Sequence, residues 1–272
     1  MDARLQRRVQ RYGWDRAQEY YERYWRAQLA PAQRRLLEMA CLRAGESVLD
    51  VAAGTGLVSF PAAQAVGPGG SVLATDISER MVEALSVEAE RRGLGQVQAI
   101  RMDAEELHLA DASFDVALCA LGLMYVPDWS RALSEMRRVL NPSGRAVAAV
   151  WGERARCGWA EIFPIVDSRV QSEVCPMFFQ LGSGDCLSQA FARAGFRNVR
   201  SDRLSVTLEY SSADNALGAA FAGGPVALAY SRFDDGTREQ AHAEYLNSIE
   251  AWRQGDGYAI PGEFVVAQGT AA

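Results

Sequence analysis

The run Val48-Leu49-Asp50-Val51-Ala52-Ala53-Gly54-Thr55-Gly56 carries the strongest chemical signal in the chain. A short apolar stretch breaks into small residues, and glycine there lets a ligand approach the backbone where a side chain would block it. The spacing speaks against a nicotinamide turn of the form G-x-G-x-x-G, because Ser59 stands where the third glycine belongs. Asp76 closes the next predicted strand, 26 residues after Asp50. A carboxylate there offers acceptor oxygens for both hydroxyls of a ribose, although an acid at that place can equally cap a helix. Asp103-Ala104-Glu105 follows a third strand. A carboxylate and a backbone N–H there suit the amine and a ring nitrogen of adenine, or form an ordinary polar loop. Cys119, Ala120 and Leu121 leave a fourth strand, and their backbone is expected to face the reactive part of a bound ligand.

These residues need elements to hold them. Apolar runs predict strands at 47–51, 71–75, 97–102, 114–120 and 145–151, separated by helical patterns at 79–92 and 128–140. Ser78 is placed to cap the first of these helices, and Asn141-Pro142-Ser143-Gly144 to stop the second. Pro61 falls near the start of the helix after the glycine turn. Strand–helix alternation implies an α/β fold with a doubly wound, mostly parallel sheet. Residues 1–42 read as helices broken before Pro31. The pattern loosens over 153–184, turns helical at 187–194, extended at 199–210, helical at 212–254 around Gly223-Gly224-Pro225, and extended again at 258–268.

Composition removes several chemistries. The 272 residues contain no lysine, so no Schiff base, no phosphate-loop lysine and no Tyr-x-x-x-Lys pair can form. Five scattered cysteines and two histidines give no zinc pattern. The net charge of -6 argues against a nucleic-acid partner, and no apolar run reaches the roughly 18–20 residues of a membrane span. Reduced thiols and the lack of a signal segment point to a cytoplasmic protein.

The motifs taken in order resemble the class I S-adenosylmethionine-dependent methyltransferases. They are VLDVAAGTG (48–56), ATDIS (74–78), MDAEEL (102–107), FDVALCALGLMYVPD (114–128) and RALSEMRRVLNPSGRAVAAVWG (131–152). The chain looks most like the ubiquinone/menaquinone C-methyltransferase type and its small-molecule relatives. The resemblance covers 45–152 well and 185–210 and 258–268 loosely. It implies a Rossmann-like, seven-stranded sheet with an antiparallel last strand, and S-adenosyl-L-methionine as cofactor. It also implies Ala53, Gly54, Thr55 and Gly56 under the methionine part, Asp76 on the ribose, Ile77 and Met81 beside adenine, and Asp103, Ala104 and Glu105 at its edge. Two departures stand out: Ala52 replaces the usual first glycine, and Met124-Tyr125 replaces a histidine pair.

A sulfonium is already an activated methyl donor, so the protein's task is to align a nucleophile and exclude water. No base is assigned, since His108 and His242 lack any local motif. The expected organisation is a helical lid (1–42), a cofactor-binding core (43–152), and the remaining sheet with an inserted helical cap (153–272), all within one domain. Tyr20, Tyr24, Trp25, Met124 and Phe178 are the candidate contacts for a small aromatic or hydrophobic acceptor. On this reading a chain beginning near Arg43 keeps its sheet and loses turnover. The alternatives are a nicotinamide oxidoreductase, a noncatalytic S-adenosylmethionine-binding protein on the same fold, and a metalloid acceptor held by Cys157, Cys175 and Cys186.

Overall fold

The computed structural model describes residues 3–170 and 178–271; Cys175 and Met177 lie outside the described residues. Five strands, β1 (Ser47–Val51), β2 (Ser71–Asp76), β3 (Val97–Arg101), β4 (Phe114–Ala120) and β5 (Leu140–Trp151), pair in parallel in the order β3-β2-β1-β4-β5. β6 (Arg197–Tyr210) and β8 (Gly257–Thr270) extend the sheet as β5-β8-β6, with β8 antiparallel to both neighbours. The two-residue β7 (Arg253–Gln254) folds back on β8 and makes an eighth strand beyond the seven expected.

The helices are α1 (Ala3–Ala40), α2 (Ser59–Val66), α3 (Glu79–Arg91), α4 (Trp129–Arg138), α5 (Ile162–Asp167), α6 (Cys186–Arg193), α7 (Ala213–Leu217), α8 (Ala227–Tyr230) and α9 (Asp235–Ile249). Right-handed crossovers place α2 and α3 on one face of the sheet and α4 on the other. Local chemistry sets their ends. The Ser78 hydroxyl accepts from Met81 N–H and Asp128 from Arg131 N–H at the first turns of α3 and α4. Pro61 sits in the first turn of α2, where its missing N–H costs nothing.

Two expectations need correction. α1 runs unbroken through Pro31 as one 38-residue helix. Its second half lies in the core, with Leu29, Ala32, Leu36, Met39 and Ala40 buried against the sheet. Packing there outweighs the backbone bond that Pro31 forfeits. A chain beginning at Arg43 would therefore lose part of its core, so that truncation does not isolate the effect of a lid. The turn signal at 141–144 does not precede β5 but interrupts it: Phe114 pairs with Leu140, and the register resumes with Val116 opposite Arg145. Ser143 absorbs the extra residues at φ 65.

The β1–α2 turn shows what replaces the missing glycine. Ala52 adopts φ 55, a left-handed backbone that alanine tolerates poorly. Its methyl fills the space beside Gly122, where an added Cβ would stand 2.4 Å from the Ala52 Cβ. The two positions interlock. Gly122→Ala should destabilise the fold by about 1–3 kcal/mol through overpacking. Ala52→Gly in the same chain should recover most of that loss. A denaturation double-mutant cycle reads this directly, and additive effects would show that the two residues do not share one space.

Candidate active site

The carboxyl ends of β1, β2, β3 and β4 open on one side of the sheet, at the place where strand order reverses between β1 and β4. A cleft of about 720 Å3, its mouth included, lies there. Ala52 and Gly54 form its floor, Asp76, Ile77 and Met81 one wall, Met102, Asp103 and Ala104 its far end. Ala120, Leu121 and Gly122 line it from the end of β4, and Tyr125, Val126 and Pro127 from the turn that follows. The first half of α1 covers it with Arg7, Gln10, Trp14 and Tyr21.

Asp76 organises the floor. One oxygen accepts from Gly54 N–H and the other from Ser78 N–H, each at 2.9 Å. Burial pushes its carboxyl up to about 6, against the pull of those two N–H groups. Asp50 lies wholly buried beneath the turn. The Ser59 hydroxyl donates to one of its oxygens at 2.6 Å, and the other oxygen has no partner. Burial, reinforced by the Asp76 charge, pushes the Asp50 carboxyl up to about 7.

Polar ties hold α1 down. Arg7 donates to the Glu105 carboxylate and lies 3.1 Å from that of Asp103. Asp15 accepts from the Ser78 hydroxyl at 2.6 Å and from Arg80 N–H at 3.3 Å. Glu105 also accepts from Asp128 N–H at 2.7 Å, joining α1, the post-β3 loop and the start of α4.

A second, narrower cavity of about 320 Å3, its mouth included, adjoins the cleft. Trp14, Tyr21, Leu121 and Tyr125 belong to both and form the wall between them. Beyond that wall the lining is Trp25 and Leu29 from α1, Met124, Trp151 and Trp159, with Gly223, Gly224 and Pro225 closing the end. Every side chain among these is apolar or aromatic.

Residues 48–144 match a family model described as a methyltransferase domain. This part of the chain is similar to the class I S-adenosylmethionine-dependent methyltransferases. Nocamycin O-methyltransferase of Saccharothrix syringae is 42% identical over 115 residues, which cover 42% of this chain and 41% of that protein. Demethylmenaquinone methyltransferase of Geobacillus kaustophilus is 36% identical over 119 residues, 44% of this chain and 51% of that protein. The chain thus spans about half the length of the curated relatives it matches. Beyond the matched region the fold itself is shared. The solved YcgJ protein of Bacillus subtilis superposes with a TM-score of 0.61 at 19% identity, covering 89% of this chain and 98% of that one.

Within the cleft at the strand ends, Gly54, Asp76, Ile77, Met81, Asp103, Ala104 and Leu121 come together. Ala53, Thr55, Gly56, Glu105 and Cys119 do not line it. Ala53 N–H is spent on Thr75 C=O, at 2.9 Å. Thr55 is buried, and a Cβ on Gly56 would lie 2.8 Å from the Phe60 ring, so this glycine serves helix packing. Glu105 turns to Arg7 and Asp128, while Cys119 lies in the core with its thiol pushed up to about 12 by burial.

Of the acceptor candidates, Trp25 and Met124 line the second cavity, whereas Tyr20, Tyr24 and Phe178 do not. Tyr20 is 37% exposed and stacks on Tyr24, which itself covers Gly218. Phe178 packs behind Tyr125 and Trp159, at 5.2 and 5.8 Å between ring centres. Aromaticity alone was a misleading guide to α1. The stripe Arg7, Gln10, Trp14, Tyr21, Trp25, Leu29 follows the 3.6-residue period, and Tyr20 and Tyr24 stand about 100° around the helix from it.

Neither histidine reaches either cavity lining. His108 borders an outer groove with Arg7, Arg8, Arg11 and Arg101, and His242 Nε2 lies 3.0 Å from the Tyr230 hydroxyl. Cys157 is buried, Cys186 opens α6, and among the described residues no His, Cys, Asp and Glu cluster could hold a metal. No helix of the described residues is long and apolar enough to cross a membrane.

The two buried carboxyls give a pH signature. In the folded chain Asp50 and Asp76 keep protons that they lose in the unfolded chain above the ordinary 3.8. Each therefore contributes stability that is whole below that value and is lost as pH rises through about 7 and about 6, respectively. The thermal midpoint of the ligand-free protein should be higher at pH 6 than at pH 8. About 1 kcal/mol corresponds to about 2–4 °C in a chain of this size. Asp50→Asn keeps the acceptor for Ser59 and should flatten that slope; an unchanged slope would place its origin elsewhere.

Proposed function

We propose that the chain transfers the methyl group of S-adenosylmethionine to a small apolar acceptor bound in the second cavity. The observation that carries this reading is the shared wall. A cleft built at the carboxyl edge of the sheet meets an aromatic cavity across Trp14, Tyr21, Leu121 and Tyr125. The fit to the cofactor rests on this chain's own groups. Asp76 has unused lone pairs on both oxygens after its two backbone bonds and suits a pair of ribose hydroxyls. Ile77, Met81 and Met102 offer apolar faces for adenine, with Asp103 and Ala104 at its edge. Gly54, at φ 58, leaves open backbone that only a residue without a side chain adopts freely.

When bound, S-adenosylmethionine supplies a sulfonium whose methyl is ready for in-line attack. The rings of Trp14, Tyr21 and Tyr125 present faces that favour a nearby cation. Trp14 sits edge-on to both tyrosines, at 5.8 and 5.0 Å between ring centres, which keeps the group rigid. Burial and the charge of Asp76 raise the Tyr21 hydroxyl above its usual range, so it stays protonated and donates rather than abstracts. The second cavity holds no carboxylate, imidazole or amine in its lining. Its contribution is alignment and exclusion of water, and the acceptor brings its own nucleophilic lone pair. Curated relatives named for nocamycin and demethylmenaquinone support a ring-bearing acceptor for this chain as well.

Two measurements test the reading. Labelled S-adenosylmethionine incubated with a panel of phenols, hydroxyquinones and aromatic amines should label a ring-bearing acceptor, and labelling of none would overturn the cavity assignment. Calorimetry should show S-adenosylhomocysteine binding, weakened by about 1.5–3 kcal/mol in Asp76→Asn, the range for a hydrogen bond to a charged group. Asparagine keeps an acceptor for the turn, so the fold should persist. An unchanged dissociation constant would confine Asp76 to holding Gly54 and Ser78.

A further inference from the structure

One residue lining the second cavity carries an unanswered polar group. Trp159 is only 2% exposed, and its indole Nε1–H has no hydrogen-bond partner. Of the buried side-chain polar atoms without a partner among the described residues, it alone belongs to a residue lining this cavity. The neighbouring Trp25 shows the usual solution, donating its indole N–H to Ala219 C=O at 3.1 Å. A buried donor left unmatched is costly and uncommon in folded proteins, and one beside a cavity invites a ligand atom.

The surroundings fix the Trp159 ring. It packs against Trp25, Trp151, Phe163, Phe178 and Phe179, with ring centres 4.8–5.8 Å away. A Cβ on Gly158 would stand 2.8 Å from the Trp252 ring, so the preceding backbone is held closely as well. The donor is thus pre-placed and pays little to order itself on binding. Trp159 lines the second cavity and not the cofactor cleft.

We propose that Trp159 Nε1–H is the specificity donor of the acceptor site. It selects a ring compound carrying a hydrogen-bond-accepting oxygen, such as a ketone. This rests on the reading of the second cavity as the acceptor site. The surrounding rings select a flat apolar body, and the single donor selects its polar edge. An apolar pocket by itself rejects a carbonyl, because the oxygen loses its hydration. A matched donor reverses that preference.

Acetophenone and ethylbenzene have nearly the same shape and differ in one oxygen, so the sign of their affinity difference decides the matter. The protein is saturated with S-adenosylhomocysteine, labelled with 15N in its indoles, and titrated with each probe. Acetophenone should bind roughly fivefold more tightly than ethylbenzene, within the span of one neutral hydrogen bond. The Trp159 indole proton should move downfield with acetophenone alone. Trp159→Phe should erase the preference of acetophenone over ethylbenzene and leave the S-adenosylhomocysteine affinity in place. Equal or weaker binding of acetophenone to the unaltered protein would overturn the proposal. So would a preference that survives in Trp159→Phe, or an aromatic cavity that takes neither probe. Failure of S-adenosylhomocysteine to bind would instead remove the methyl-transfer reading on which the proposal rests.

Discussion

The Asp76 carboxylate ties three parts of the chain together at one point. It ends β2, receives Gly54 N–H from the turn after β1, and receives Ser78 N–H at the start of α3. Charged acceptors of backbone N–H groups are among the stronger hydrogen bonds in proteins, and burial makes their loss expensive. The rest of the cleft follows from this knot. The turn it fixes sets the floor, and the helix start it fixes brings Ser78 to Asp15 and so brings α1 down over the opening. That the carboxyl is buried enough to be pushed up to about 6 shows how much desolvation the fold accepts there.

The parallel half of the sheet was legible because its signals are local. A strand buried on both faces reads as an apolar run, and the glycine turn, Ser78 and Asp128 announce the helices that follow. The cleft residues of the β1, β2 and β3 ends were legible for the same reason, since a strand end carries its site residues with it. The cap was not. Whether Trp25 or Tyr24 faces a cavity depends on how a 38-residue helix is rotated against a sheet that lies elsewhere in the sequence. The period was present in Arg7, Gln10, Trp14, Tyr21 and Trp25, yet glutamine and arginine within it masked the stripe. The unbroken passage of α1 through Pro31 and the bulge at 141–144 share one cause: tertiary packing overrode a strong local breaker.

Asymmetry between the two cavities matters for chemistry. The cleft mixes carboxylates, open backbone and apolar faces, as recognition of a composite nucleotide-like ligand requires. The cavity beyond Trp14 and Tyr21 is almost free of polar atoms. A low-dielectric chamber strengthens whatever charge interaction reaches it and penalises every polar group that arrives unmatched. Discrimination between acceptors therefore falls to very few atoms, while shape falls to many.

α1 is at once a core element and the roof of the cleft. Leu29, Leu36 and Met39 anchor one end in the sheet, and the Gln28 side-chain amide bonds both backbone groups of Glu209 on the edge strand β6. Arg7 and Asp15 lie at the other end of the same rod. A hinged domain can swing open as a body, but a helix continuous with the core has no hinge to swing on. To uncover the cleft such a helix would have to bend or unwind rather than swing, and helix–coil exchange in isolated peptides runs on about the 0.1–1 μs scale.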